Sequence, residues 1–184
     1  MEMSMDRWSD EELMARTKSG DTSAFDLIVR RYQDRLQQFA TRMFGGDSSS
    51  GGDVVVGAFL RLWERRATFC MTGQLSGWLF KTTYRLCLDV LAVREPDQVL
   101  DFDEPETNEG PDELLERESL TESIRFAVME LPQSHRAVLI LAIYEGMSYE
   151  EISANLGIPT GTVASRKNHA LTILRRRLAA WETK

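Results

Sequence analysis

The sequence predicts an all-α fold with two small helical domains joined by an acidic flexible linker, the second being a helix-turn-helix domain. Apolar residues recur at spacings of three and four along most of the 184 residues, which is the period of an amphipathic helix. Residues 95–114 hold nine acidic residues, three prolines and no basic residue, and such a composition does not form a packed core. Two short helix patterns near the C-terminus are separated by a glycine and a proline. The domains are therefore placed at residues 1–94 and 115–184.

Four helices are predicted in the first domain. A capping box at the start of residues 9–19 opens the first helix. Residues 22–44 have the most regular apolar spacing of the chain and form the second. The Gly- and Ser-rich residues 45–52 predict a flexible break, so the third helix is expected to begin at Asp53 as its N-cap. The fourth runs over residues 75–93.

Four more helices are predicted in the second domain. The first covers residues 113–131 and is stopped by Pro132, which cannot continue a helix. The second covers residues 134–145. Ser148 and Glu151 have the spacing of a capping box, in which each side chain bonds a free backbone N–H at the start of a short third helix.

The fourth of these helices carries the candidate nucleic-acid contacts. Gly157 ends the preceding helix and Pro159 prevents its continuation, while Thr160 is expected to cap the next one. A second helix of this kind lies in the major groove of DNA, although helix pairs joined by Gly-x-Pro also occur in other helical proteins. Residues 164–184 hold six basic residues and one acidic residue, which favours a phosphate contact. The candidate contacts are Thr162, Ser165, Arg166, Lys167, Asn168 and His169.

Several other classes of protein find no support in the sequence. No apolar run approaches twenty residues and no signal pattern opens the chain, so a cytoplasmic location without membrane insertion is expected. Cys70 and Cys87 are expected to be buried reduced thiols. The two histidines lie in different predicted helices, so no metal site is expected. No catalytic motif or phosphate-binding loop is present, and we expect neither enzymatic activity nor a cofactor.

The order of these elements resembles that of the bacterial RNA polymerase sigma factors of the extracytoplasmic-function (ECF) subfamily. The resemblance covers nearly the whole chain and rests on several short motifs in the expected order. They are Ala24-Phe25-Asp26-Leu27-Ile28, Arg31-Tyr32, Phe59-Leu60-Arg61-Leu62-Trp63, Trp78-Leu79-Phe80, Leu88-Asp89, Leu131-Pro132 and the helix-turn-helix.

This resemblance implies a subunit that binds core RNA polymerase and directs it to promoter DNA. The first domain of such proteins binds the polymerase and opens the minus-10 element, the second reads the minus-35 element, and an anti-sigma factor often holds the protein inactive. Carried over to this chain, the polymerase contacts are Asp53, Phe59, Leu62 and Trp63. The minus-10 contacts are Phe69, Lys81, Tyr84 and Arg85.

The chain departs from the pattern of this family at several positions. Val56 and Gly57 stand where the family usually has a glutamine and an acidic residue, and Arg85 stands where it tends to have an asparagine. The stretch after Asp89 also has fewer basic residues than the Arg-rich stretch of the family. Lys167 stands where the family commonly has an apolar residue. Two alternatives therefore stay open: a sigma mimic that binds an anti-sigma factor without productive promoter recognition, and a free-standing helix-turn-helix regulator.

Overall fold

The computed structural model describes residues 8–70, 74–93 and 121–179, and these are helical apart from turns and short connections. The predicted all-α fold is confirmed. Residues 95–114, predicted as a linker, and the first part of the predicted helix 113–131 lie outside the described residues. The helices are α1 (Asp10–Lys18), α2 (Thr22–Met43), α3 (Ser48–Arg65), α4 (Leu75–Val93), α5 (121–129), α6 (Gln133–Ile143), α7 (Tyr149–Leu156) and α8 (Thr160–Ala179).

Helix α2 is the central element of the first half of the molecule, residues 8–93. Its N-cap is Asp21, whose carboxylate accepts a hydrogen bond from the backbone N–H of Ala24 at 3.1 Å. One face of α2 packs against α1, α3 and α4. The fully buried side chains of this face repeat at helical spacing, as the apolar pattern predicted; they are Ile28, Leu36, Phe39 and Met43.

Helix α3 begins earlier than the sequence predicted. Its N-cap is Asp47, which accepts a hydrogen bond from the N–H of Ser50 at 3.0 Å, and its first residue is Ser48. The prediction of a break over residues 45–52 with Asp53 as the N-cap was therefore wrong for most of that segment. Asp53 is an exposed residue inside the helix.

Close packing of α3 on α2 accounts for this early start. A Cβ atom at Gly51 would lie 2.7 Å from the hydroxyl oxygen of Thr41, so a larger residue would push the two helices apart. Only the first two glycines of the segment make the turn, with φ of 72° at Gly45 and 114° at Gly46. Glycine inside α3 thus lowers helix propensity but permits the contact with α2.

The second half, residues 121–179, is built on α6. Helix α6 packs against both α7 and α8, and its predicted start at Ser134 is observed one residue earlier, at Gln133. Helix α5 ends at residue 129, two residues before the predicted end. A small apolar cluster joins the end of α5 to α6 and α8; its buried members are Leu131, Leu139 and Ala170.

The two halves pack directly against each other. Helix α4 contacts α7 and α2 contacts α6, and one continuous apolar cluster contains buried residues from both halves. Buried Arg136 of α6 adds polar contacts, because its Nη1 donates to the backbone carbonyl of Met43 at 2.7 Å. Its Nη2 donates to the carbonyls of Met129 and Leu131. The two halves therefore share most of one apolar core.

Candidate nucleic-acid interface

The connection between α7 and α8 has the predicted helix-turn-helix geometry. The capping box is confirmed, since the N–H of Ser148 donates to the Glu151 carboxylate at 2.7 Å and the N–H of Glu151 donates to the Ser148 hydroxyl at 3.2 Å. Gly157 ends α7 in the left-handed conformation, with φ of 68° and ψ of 40°. The hydroxyl of Ser153 donates to the carbonyl of Ile158 at 2.6 Å. The turn is thus defined by hydrogen bonds on both sides of the glycine.

Helix α8 starts at Thr160 itself, so the prediction that this residue caps the helix was wrong. The carbonyl of Pro159 accepts hydrogen bonds from the N–H groups of Thr162 at 2.9 Å and Val163 at 3.1 Å, and the proline thereby occupies the position before the helix. Val163 is fully buried together with Ala170. These two side chains set the rotation of α8 about its axis.

The candidate minus-35 residues divide into two groups by exposure. Ser165, Asn168 and His169 are exposed, whereas Thr162 and Arg166 are half-buried. The hydroxyl of Ser165 donates to the carbonyl of Thr162 at 3.1 Å, so in this conformation its proton is already engaged. Asn168 and His169 are therefore the most accessible groups for base edges.

Two further candidates are held by neighbouring rings. The ammonium of Lys167 lies 5.2 Å from the ring centre of Tyr149, a cation–π contact that directs it toward α7. The ring of His169 meets that of His135 with their centres 5.2 Å apart. Burial lowers the pKa of His135, and His169 and Arg166 lower it further.

Phe69 and Arg85, two of the candidate minus-10 residues, lie in opposite environments. Phe69 is 8% exposed, and its ring packs edge-on against Trp78 with the centres 5.4 Å apart. Phe69 thus packs within the protein in this structure, and its contact with the minus-10 element stays a prediction. Arg85 is exposed.

Lys81 and Tyr84, the remaining minus-10 candidates, face the second half of the molecule. A Cβ atom at Gly157 would lie 2.8 Å from Nζ of Lys81, so this side chain rests on the turn between α7 and α8. Burial raises the pKa of Tyr84, while the nearby guanidinium of Arg166 opposes that rise. Lys81 therefore lies at the turn before α8, and Tyr84 lies near Arg166.

Two of the four candidate polymerase contacts on α3 are core residues. Leu62 is fully buried and Phe59 is 7% exposed, so both belong to the apolar face that packs on α2. The ring of Trp63 is half-buried and lies 5.0 Å from that of Phe25. The assignment of Leu62 as a contact residue is corrected, since a side chain without solvent exposure cannot touch a partner. The fourth candidate, Asp53, is exposed on α3.

Two exposed apolar residues on α3 were missed among the candidates. Val56 is 59% exposed and Leu60 is 55% exposed. Together with Asp53 they occupy positions three and four apart, on the side of the helix opposite the buried stripe. That spacing was readable in the sequence once the buried stripe was assigned. Gly57 beside them is not required by packing, since a Cβ there would meet only Leu86, at 3.5 Å.

The basic C-terminal part of α8 is mainly a solvated surface. Arg177 pairs with Glu130 of the α5 end at 2.8 Å between Nε and Oε2, and both side chains are about half exposed. Arg175 and Arg176 are exposed. Arg175 and Arg176 lie near the end of α8. Only DNA that extends past the first turns of the helix can meet them.

The cysteines are in different environments, in part against prediction. Cys87 is fully buried, and burial raises the pKa of its thiol to about 12. Cys70 is exposed, so its predicted burial was wrong. In the described ranges no three His, Cys, Asp or Glu side chains are grouped as metal ligands. Each helix in those ranges is too short or too polar to cross a bilayer.

The fold and these surfaces define a helical DNA-binding protein with a helix-turn-helix in its second half. The family model described as Sigma-70 region 2 matches residues 28–95, and the one described as Sigma-70, region 4 matches residues 121–174. The ECF RNA polymerase sigma factor SigW of Bacillus subtilis is 29% identical over 176 residues, covering 89% of this chain and 93% of the relative. The chain belongs to the sigma-70 family and is of the extracytoplasmic-function type.

Solved structures of similar chains have the same fold. CnrH in complex with the cytosolic domain of CnrY matches with a TM-score of 0.71 and 25% identity, covering 93% of this chain and 97% of that one. The sigma factor RpoE in complex with the anti-sigma factor NepR from Bartonella quintana matches with a TM-score of 0.62 and 22% identity, covering 84% of this chain and 96% of that one.

Proposed function

We propose that this chain is a sigma factor that binds core RNA polymerase in the cytoplasm and directs promoter-specific initiation of transcription. The second half reads the minus-35 element through α8, and the first half binds the polymerase and the minus-10 element. The chain binds and positions but catalyses no reaction itself. An anti-sigma factor is its expected inhibitor, as NepR is bound to the similar RpoE chain.

The helix-turn-helix geometry carries this proposal. A capped α7, a left-handed Gly157 and a buried Val163 together fix the orientation of α8 relative to α7. Its accessible side chains include an amide, an imidazole and hydroxyl groups, which can bond base edges. The half-buried Arg166 adds a guanidinium that can bond a guanine edge or a phosphate once it is accessible.

The polymerase contact is proposed on the exposed face of α3. Val56 and Leu60 present apolar surface there, next to the carboxylate of Asp53. Exposed apolar side chains that are grouped on one helix face are typical of protein interfaces. This face replaces Leu62 and Phe59 as the proposed contact, with the half-buried Trp63 at its edge.

Run-off transcription tests the proposed function. Core polymerase is supplied with a promoter fragment from upstream of the chain's own operon, with and without the purified chain. A defined transcript is expected only when the chain is present. Omission of the chain, and a fragment with a scrambled minus-35 element, are the matched controls.

The departures at Val56 and Gly57 favour a second candidate, a sigma mimic that binds an anti-sigma factor without productive promoter recognition. Pull-down with core polymerase separates the two candidates. Core binding with no transcript, or no core binding by a folded chain, would support the mimic. Core binding together with a specific transcript would exclude it.

A further inference from the structure

The exposed imidazole of His169 on α8 packs against a second imidazole, that of His135 on α6. The two ring centres are 5.2 Å apart, and the ring planes are inclined by 60°. Aromatic rings attract each other in inclined arrangements at such distances. His169 is exposed, whereas His135 is half-buried. One ring of the pair is therefore accessible to DNA, and the other belongs to the packed protein.

The backbone that carries His135 is fixed relative to α8. His135 lies in the first turn of α6, where its N–H donates to the carbonyl of Pro132 at 2.8 Å. The next residue, Arg136, is buried and anchors this turn through three backbone carbonyls. One turn further along α6, Leu139 packs with Ala170 of α8 in the small apolar cluster. The ring of His135 is thus presented to α8 from a firmly packed helix.

The orientation of His169 matters for reading a base as well as for binding it. An exposed side chain samples several rotamers, and it must lose this freedom when it bonds a base edge. A contact that already restricts the ring in the protein reduces that cost. A neutral imidazole has one donor nitrogen and one acceptor nitrogen, so the orientation of the ring decides which of them meets the base.

We propose that His135 is a positioning residue for minus-35 recognition, because its ring holds the imidazole of His169 in the orientation in which His169 bonds a base edge. His135 contacts His169, and His169 contacts the base. This inference rests on the proposed function, since it takes α8 as the helix that reads the minus-35 element.

The charges around position 135 favour an uncharged ring there. Burial lowers the pKa of His135, and the neighbouring His169 and Arg166 lower it further. Arg166 lies one turn before His169 on α8, so a positive charge at position 135 would meet a guanidinium of the same sign. A permanent charge at this position should therefore disturb the ring pair, even though it attracts DNA.

Discrimination between two promoter fragments measures the positioning. The chain is assembled with core polymerase and titrated on a fragment from upstream of its own operon and on the same fragment with a scrambled minus-35 element. The ratio of the two dissociation constants is the discrimination. We expect His135→Ala to lower this ratio about two- to tenfold, the effect of one side chain that is no longer ordered in advance. Gln133→Ala, at an exposed position of the same turn, is the matched control and should leave the ratio unchanged.

Two further substitutions at position 135 separate the ring from its charge. His135→Phe keeps an aromatic ring and removes the possibility of a charge, so it should retain most of the wild-type discrimination. His135→Arg adds a positive charge, which by itself tightens binding to any duplex. We nevertheless expect His135→Arg to lower the ratio as His135→Ala does, because binding to the scrambled fragment increases while the ring pair is lost.

A double-mutant cycle tests whether His135 acts through His169. His169→Ala alone should lower the ratio at least as much as His135→Ala. In the His169→Ala background, His135→Ala should have no further effect on the ratio, since no ring is left to position. A merely structural role of His135 would act equally in both backgrounds.

Three results would overturn the positioning role. The first is full discrimination by His135→Ala, the second is an equal loss in His135→Phe, and the third is an equal loss from His135→Ala with and without His169. Failure of the proposed function looks different. In that case the wild-type chain with core polymerase binds the two fragments equally and yields no specific transcript.

Discussion

At the scale of single residues, Arg166 is the side chain whose environment matters most for function. It is half-buried near Tyr84, yet it stands on the first turns of α8, where a guanidinium can bond a guanine edge with two hydrogen bonds. Arg175 and Arg176 lie more than two turns further along and reach only the DNA backbone. A substitution of Arg166 therefore tests whether this residue of α8 reads a base or only binds a phosphate.

Replacement of Arg166 by alanine should separate these two roles. If Arg166 reads a base, Arg166→Ala should cost about 1 to 3 kcal/mol of binding free energy on the preferred minus-35 duplex and much less on scrambled DNA. Fluorescence anisotropy with both duplexes measures the difference. A similar loss on both, with a shallower salt dependence, would indicate phosphate contact instead. Unchanged affinity for every duplex would contradict any DNA role for this residue.

Trp63 and Leu60 should respond oppositely to substitution. Trp63→Ala removes a ring packed against Phe25, so we expect it to lower the free energy of unfolding by about 2 kcal/mol or more. Leu60→Asp changes a 55% exposed side chain, so it should leave stability nearly unchanged but weaken binding to core polymerase. Urea unfolding and core-binding titration measure the two effects. Normal core binding by Leu60→Asp would place the polymerase contact elsewhere.

At the scale of elements, the start of α3 shows that tertiary packing can outweigh local helix propensity. Its glycines and β-branched residues have low helix propensity, and on local grounds they predicted a late start. Packing against α2 overrides propensity, because the helix can approach Thr41 only where Gly51 has no side chain. The start of α3 therefore depends on a neighbour that is distant in sequence order.

Two adjacent glycines of α3 should give opposite results when changed to alanine. At Gly51 the new Cβ would lie 2.7 Å from the Thr41 hydroxyl, whereas at Gly52 the nearest neighbour is Oε1 of Gln37, at 3.7 Å. Gly52→Ala should stabilise the chain by up to about 1 kcal/mol through helix propensity. Gly51→Ala should destabilise it despite the same gain. Thermal unfolding of the two variants provides the comparison, and equal shifts would refute the packing argument.

Much of the fold could be predicted because it depends on local chemistry. The capping boxes, the helix stop at Gly157 and the apolar spacing of α2 are each determined within a few residues, and the structure has them as predicted. The exposure of candidate site residues was less predictable. Phe69 and Leu62 are buried by partners on other helices, and no local pattern fixes which side of a short amphipathic helix meets a second partner.

At the scale of the whole molecule, Arg136 joins the two halves through backbone carbonyls. It bonds the end of α2 and the end of α5 from one buried guanidinium, and burial lowers its pKa to about 10. Carbonyl groups at helix ends lack partners within their own helix. Arg136 therefore supplies donors to two such groups, at Met43 and Met129, and to the carbonyl of Leu131 just after α5.

Loss of Arg136 should destabilise the chain far more than loss of a surface arginine. Arg136→Met leaves three carbonyls without their donor, and we expect a loss of about 3 kcal/mol or more. Arg177→Met breaks only the half-exposed pair with Glu130 and should cost less than about 1 kcal/mol. Urea unfolding measures both. Similar small losses would show that Arg136 is not a major contributor to the packed structure.

The packing of one half on the other could not be predicted from the sequence. The packing depends on close fit between helices: a Cβ atom at Gly77 of α4 would lie 3.0 Å from Oδ1 of Asn155 in α7. It also depends on single contacts between residues that are far apart in the chain. Arg35 and Glu145 are separated by 110 positions, and each reads locally as an ordinary surface charge. The acidic composition of residues 95–114 predicted separate domains, and nothing in that composition indicates whether the domains touch.

Because Cys87 is buried, its rate of alkylation depends on how often the first half opens. A thiol reacts as its thiolate, and a thiol with a pKa of about 12 inside the core is scarcely reactive in the native state. A soluble alkylating reagent should therefore modify exposed Cys70 within minutes and Cys87 only during transient unfolding. Mass spectrometry distinguishes one adduct from two. The rate of the second addition then reports the opening free energy of the native chain without any engineered label or denaturant.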